Sequence, residues 1–295
     1  MIRSLCLLLL AVCLWNCEDT VLLDTDFDEP ELVVDAWLTN RSEPQTIRLT
    51  ETQSYYANRQ PTTVDNAEVT VCRISPDQRC FTFERQDSGR YVWTPAPGDS
   101  LGTVGDAFVL GIEHAGLQYG SQTAIRRVPE IDSIAVRFEE EQLGLDAGLY
   151  AQLYARDFVG TGDAYLIRTT INDTLLNRPG ELSLVYDATF DVGSAADGIV
   201  FIFPIRFSIN KTDDDGGVVA LQPGDDIQVD LWSLSPQAFF FLSVARDQIQ
   251  NGSNGIFQIP VANSPGNVLR LDTEKPVPGV FNVAAVSRRA RTVTE

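Results

Sequence analysis

The chain has 295 residues, with 22 basic and 41 acidic side chains, a net charge of −19 and one histidine. Such an acidic balance excludes nucleic acid and bare anionic lipid surfaces as natural partners, and one histidine excludes zinc sites built from several. The length favours two domains over one.

Residues 1–16, MIRSLCLLLLAVCLWN, carry one positive charge, Arg3, and an apolar run too short for a permanent membrane span. This is the pattern of a signal peptide. Cys17 follows where hydrophobic sequence turns acidic, and Leu14 suits a bacterial lipobox, although Asn16 is larger than the small residue such a site prefers. Cleavage there makes Cys17 the lipid-bearing first residue. The alternative is ordinary secretory cleavage nearby, with Cys17 uninvolved. Loss of Arg3 makes the mature chain one unit more negative. An acyl anchor outweighs the repulsion, at about 0.8 kcal/mol per buried methylene. Residues 17–30 read as an acidic tether, and no later stretch nears the roughly 20 apolar residues of a transmembrane helix.

From Glu31 the pattern changes to short runs of period-two alternation: ELVVDAWLTN, QTIRLTETQSYY, AEVTVCRI, RCFTFERQ, GRYVWTP, AFVLGIEHAG and LQYGSQTAI. Turn signals such as SPDQ, DSG and APGDSLG separate them. The pattern predicts an N-terminal β-sandwich over 31–128, Ig-like or transthyretin-like. A proline break, RRVPEIDSI, places a boundary near Pro129. Beyond it, IAVRFE, GLYAQLYARDF, DAYLIRTTIND, ELSLVYDATF, GIVFIFPIRFSI, VVALQPGDDIQVDLWSL and FNVAAVSRRARTV predict a second sandwich over 129–295. One segment departs from strand character. Ser235 as N-cap, Pro236 in the first turn and Gly252 as terminator predict an amphipathic helix over 235–251. Phe241, Val244, Ala245 and Ile249 share its expected apolar face, and the helix is expected to cover one end of the second sandwich. The fold class is all-β.

Chemistry-bearing residues are few. His114 reads as a hairpin residue beside an Ala115-Gly116 turn rather than a base or ligand. Cys72 and Cys80 lack the partners of a zinc site, but they bracket a Pro-Asp turn, so a structural disulfide across a hairpin is expected. KTDDDGGVV (residues 211–219) lacks the alternate ligand spacing and closing glutamate of an EF-hand and reads as a hairpin tip. Paired carboxylates for glycoside hydrolysis have many candidates and no distinguishing signal. No catalytic residue, metal site or cofactor is predicted. In QSYYANRQP, Tyr55, Tyr56 and Arg59 form a candidate binding surface, with an inward-packed strand end as the alternative. AFFFL (residues 238–242) reads as core, with Phe239 or Phe240 as a candidate docking residue.

Taken in order, CEDTVLLD, EPELVVDAWLTN, LTETQSYYAN, VDNAEVTVCRI, VPEIDSIAVRF, LQPGDDIQVDLWSLSPQAFFFL, NGIFQIPVANSPGNV and GVFNVAAVS resemble the Gram-negative lipoprotein family called domain of unknown function 4249. The chain departs from it at Asn16 and at Val280-Phe281. The resemblance implies an outer-membrane lipoprotein that accompanies a TonB-dependent transporter as an accessory or ligand-capturing protein. It implies no catalytic residues. Glu18 and Asp19 resemble an export signal for the cell surface, and Asp132-Ser133-Ile134 an O-glycosylation site. A carboxylate-dependent hydrolase and a purely structural envelope protein are the rival expectations.

Overall fold

The computed structural model describes residues 29–54, 57, 59–190, 192, 196–251 and 264–294. Cys17, Glu18, Asp19, Tyr55 and Tyr56 lie outside them. No described helix is long and apolar enough to cross a membrane.

The first seven strands follow the alternating runs: β1 (Leu32–Thr39), β2 (Gln45–Glu51), β3 (Glu68–Ser75), β4 (Arg79–Arg85), β5 (Arg90–Trp93), β6 (Ala107–His114) and β7 (Leu117–Ala124). Their alternation buries one face. In β1, Leu32, Val34, Ala36 and Leu38 point inward, and in β2, Ile47 and Leu49 do. Ala115 and Gly116 close the β6–β7 hairpin with φ of 51° and 77°, the left-handed pair that a two-residue type I′ turn requires.

Three further strands join this sheet from the far end of the chain: β14 (Val268–Arg270), β15 (Lys275–Val277) and β16 (Gly279–Ala284). The order is β15-β14-β7-β6-β3-β4-β5-β2-β1-β16. The sheet turns over at β4 and encloses one core, in which Val71, Phe81, Leu110 and Tyr91 meet Val268, Phe281 and Val283. Strand β16 lies parallel to β1. Gly279, at φ 108°, makes that approach feasible, because a side chain there would collide with the Val34 backbone.

The second core is built on a five-stranded sheet. Strands β10 (Ala164–Ile171) and β13 (Asp226–Leu234) form its middle, with β17 (Val286–Thr292) at the edge beside β13 and with β11 (Thr174–Leu175) and β12 (Ser183–Tyr186) both pairing β10. Tyr165, Ile167, Val229 and Leu231 face the hairpin of β8 (Ile131–Glu139) and β9 (Gly148–Ala155), with Ile205 of the short helix α1 (Phe203–Phe207). The opposite face, Leu166, Leu184, Trp232 and Leu234, packs on α2 (Pro236–Asn251) and on Val280 and Ala284 of β16. Burial on both faces explains why these strands read as nearly continuous apolar runs.

The all-β class holds, with four changes of detail. First, the division at residue 129 is crossed by β14, β15 and β16, so residues 268–284 complete the first sheet. The run FNVAAVSRRARTV is two strands, parted at Ala285, whose N–H and C=O bond to the Ser233 hydroxyl and N–H at 2.9 and 3.0 Å. Second, strand-like FPIRF is the helix α1, with Pro204 in its first turn, where the missing N–H costs nothing. Third, α2 is capped as expected, the Ala238 N–H donating to Ser235 Oγ at 3.2 Å. It lies in the seam between the two sheets rather than over one end, and its buried residues are Ala238 and Phe239, while Ile249 is 60% exposed. Fourth, Phe239 is core, which leaves Phe240 as the exposed member of that pair.

Asparagine amides close strands where no neighbouring strand is present. Asn210 donates to the Ala151 carbonyl and accepts its N–H, both at 2.8 Å. Asn267 does the same for Phe281, again at 2.8 Å. Each satisfies an obligatory pair of backbone groups that burial would otherwise leave unpaired.

Candidate functional site

A cleft of about 540 Å³ opens where the outer face of β1 and β2 meets β16 and α2. Alternation in β1 turns Val33, Asp35 and Trp37 outward, and Arg48 and Thr50 of β2 share that face; all five line the cleft, with Phe241, Val280 and Gly279 opposite. Gln60 and Pro61 complete one wall. The volume falls within the range of small-molecule sites, about 300–1,000 Å³.

Its electrostatics are uneven. Asp35 and Arg48 stand directly opposite in the β1–β2 register. The Asp35 carboxyl is pushed above its ordinary value, mainly because the surrounding protein strips its solvation; Arg48, the Trp37 indole and Arg168 act in the other direction. Water still reaches this carboxylate, which sits at the floor of an open concavity, so the shift reflects crowding of low-dielectric protein around it. Arg168 comes from the facing sheet, where its guanidinium lies 4.7 Å from the centre of the Trp232 ring. Burial lowers its pKa, but a guanidinium remains charged. The Trp232 Nε1–H is buried without a partner. Beside it, Arg288 clamps Asp230 through two hydrogen bonds of 2.6 Å.

A second polar cluster lies behind the second sheet. Asp157, Asp163 and Asp187 are all buried. Tyr165 donates to Asp157 Oδ1 at 2.7 Å, whereas Asp157 Oδ2 has no partner. Arg127 Nε donates to both oxygens of Asp163 at 3.0 and 2.9 Å. Asp187 Oδ1 accepts from the N–H groups of Gly162 and Asp163. Desolvation raises the Asp157 carboxyl, and the neighbouring Asp163 and Asp187 charges add to it. The same burial, with Asp157 alongside, pushes the Tyr165 phenol upward. These groups are turned inward and brace the loop over residues 157–163. No group of three or more His, Cys, Asp or Glu among the described residues has metal-binding geometry.

Of the residues singled out from sequence, Arg59 is exposed and its carbonyl accepts from Gln53 Nε2 at 3.0 Å; it precedes the cleft residues Gln60 and Pro61. Cys72 and Cys80 are register partners on β3 and β4 and are joined by a disulfide. His114 is half-buried in its hairpin, with Nδ1 unpartnered. The cleft residues that sequence reasoning did not mark as a site are Asp35, Trp37, Arg48 and Phe241. A signal existed for three of them. ELVVDAWLT and QTIRLT place a carboxylate, an indole and a guanidinium on the face opposite the core residues, and an outward tryptophan between charged neighbours marks a surface that is not plain solvent.

Among solved structures, the chicken CNTN1 FN1–FN3 domains are similar at 11% identity over 68% of this chain, with a TM-score of 0.23. The chain spans 57% of the length of that structure. No curated protein matches. A family model described as "Domain of unknown function (DUF4249)" matches residues 18–290, and the chain belongs to that family.

Proposed function

We propose that this protein is a ligand-capturing lipoprotein of the outer membrane. Cys17 carries the lipid, Glu18 and Asp19 begin an outward-facing tether, and the folded part passes its ligand to a TonB-dependent transporter. The observation that supports capture is the cleft between β1, β2, β16 and α2, which combines an apolar wall, Trp37 and Phe241, with a few polar groups. That mixture is how small-molecule sites obtain both affinity and orientation. A hydrolase of the paired-carboxylate type needs two acids about 5–10 Å apart. Asp35 is the one carboxylate among the described residues that line this cleft, which favours holding a ligand over cleaving it.

The test is to isolate the native lipoprotein from solubilised outer membrane, in wild-type and Trp37→Ala forms. Mass spectrometry of the N-terminal peptide is expected to find acyl chains on Cys17, and an unmodified start elsewhere would remove the anchor. A TonB-dependent transporter is expected to co-purify with both forms, and a small molecule with the wild type alone. Identical small-molecule content in the two forms would end the assignment of this cleft. Recovery without a transporter would end the partnership.

A further inference from the structure

Resting on that cleft as the binding site, the geometry points to a ligand that carries a carboxylate and an ammonium group together: a free amino acid or short peptide whose side chains lie on Trp37 and Phe241.

Four observations support this class. First, Asp35 and Arg48 are cross-strand neighbours, at positions whose β-carbons ordinarily stand about 5 Å apart. Yet Arg48 makes no side-chain hydrogen bond or ion pair among the described residues. Asp35 feels the Arg48 charge and a hydrogen bond from the Trp37 indole, and a carboxylate has about four acceptor sites, so the Arg48 N–H groups and the rest of the Asp35 acceptors are left for a third party. Second, Arg168 stands behind the cleft lining on the facing sheet, stacked on Trp232 and within electrostatic range of Asp230 and Asp35. It adds positive potential near the cleft without lining it. Third, Asp230 is already committed to Arg288 by a bidentate pair. The charges that line the cleft are therefore Arg48 and Asp35, one of each sign. A purely cationic ligand would meet Arg48, and a purely anionic one would meet Asp35. A zwitterion answers both signs, its carboxylate to Arg48 and its ammonium to Asp35. Fourth, the wall formed by Val33, Trp37, Phe241 and Val280 is apolar, suited to a side chain more than to a polyol, whose hydroxyls need a polar partner on each edge.

The experiment titrates the full chain with L-leucyl-L-phenylalanine, its N-acetyl and C-amide derivatives, and maltose, by calorimetry and tryptophan fluorescence. The free dipeptide is expected to bind, and either cap to weaken it by about tenfold or more, the worth of one charge-assisted hydrogen bond. Arg48→Gln is expected to erase the preference for the free carboxylate while keeping that for the free amine, and Asp35→Asn the converse. Both positions are on the solvent side of their strands, so circular dichroism should be unchanged. Binding of maltose with none of the dipeptide would overturn the ligand class and leave the cleft standing as a site. Equal binding of capped and free dipeptides would overturn the charge assignment. If no probe binds, the ligand class fails, and the small-molecule comparison of wild type with Trp37→Ala decides the cleft by itself.

Discussion

The two sheets bury their polar groups in different ways. The core of the first is almost wholly apolar, with Asp106 and its partner Arg73 at the margin, and one of its two buried phenols is satisfied twice: Tyr91 donates to the Val64 carbonyl and accepts the Ala67 N–H, each at 2.9 Å. Behind the second sheet lie three buried carboxyls, Asp157, Asp163 and Asp187, of which Asp163 is bonded by Arg127. A packed apolar core is insensitive to pH, whereas a carboxylate brace depends on which oxygens are protonated. The first unit is therefore expected to set thermal stability, and the second to set its pH dependence.

The largest blow to this contrast is Phe281→Ala. Phe281 is fully buried in the first core, on the strand next to β1, and its loss should lower stability by about 3–5 kcal/mol. Chemical denaturation reads the total. Hydrogen exchange should show the loss reaching β17 as well, because one backbone run supplies β16 and β17 to the two sheets. Protection unchanged in the second sheet would show that the sheets open independently.

Next comes Cys72→Ser, expected to lower stability by about 2–4 kcal/mol with ligand binding intact. Thiol titration of the purified wild type gives the independent check, since free thiols would mean that the bridge does not form in solution. Arg127→Ala removes the bidentate partner of buried Asp163 and should cost about 2 kcal/mol.

Asp157→Asn sharpens the contrast in the opposite direction. A folded-state pKa above the ordinary value of 3.8 means that the native state holds this proton more tightly than the unfolded chain does. Stability from this group is then fullest below 3.8 and falls as pH rises through the raised value. The amide keeps an acceptor for the Tyr165 hydroxyl and carries no charge. The variant should therefore gain about 1 kcal/mol at pH 7 and nothing at pH 3. Melts across that range should show the gain, and a loss at pH 7 would mean that the ionised form is the native one. Smallest of all is Arg79→Ala, which breaks an exposed pair with Asp99 and should cost under about 1 kcal/mol.

Much of the fold was legible because solvent-facing strands alternate. ELVVDAWLT and QTIRLT show which residues are core, and Cys72 and Cys80 announce a hairpin bridge by bracketing a turn. Strands buried on both faces lose that signal. DAYLIRTTI and DIQVDLWSL read as apolar runs with no hint of which side meets α2, and the face expected for α2 was displaced because its burial comes from two sheets. The candidate site was visible only at its edge: the last two residues of the loop over 53–61, Gln60 and Pro61, line the cleft, while Asp35 and Trp37 read only as the outer face of a strand.

By itself the sequence determined the class of element, the hairpins, the cap at Ser235 and the acidic segment that follows Cys17, all set by residues within a few positions of one another. Only the tertiary structure decided that FNVAAVSRRARTV divides between two sheets, that β16 pairs in parallel with β1, and that Arg168 comes within electrostatic range of Asp35. The physical reason is distance along the chain. Strand pairing and charge proximity depend on residues more than a hundred positions apart, and a local pattern specifies which face a residue occupies but not what that face will meet.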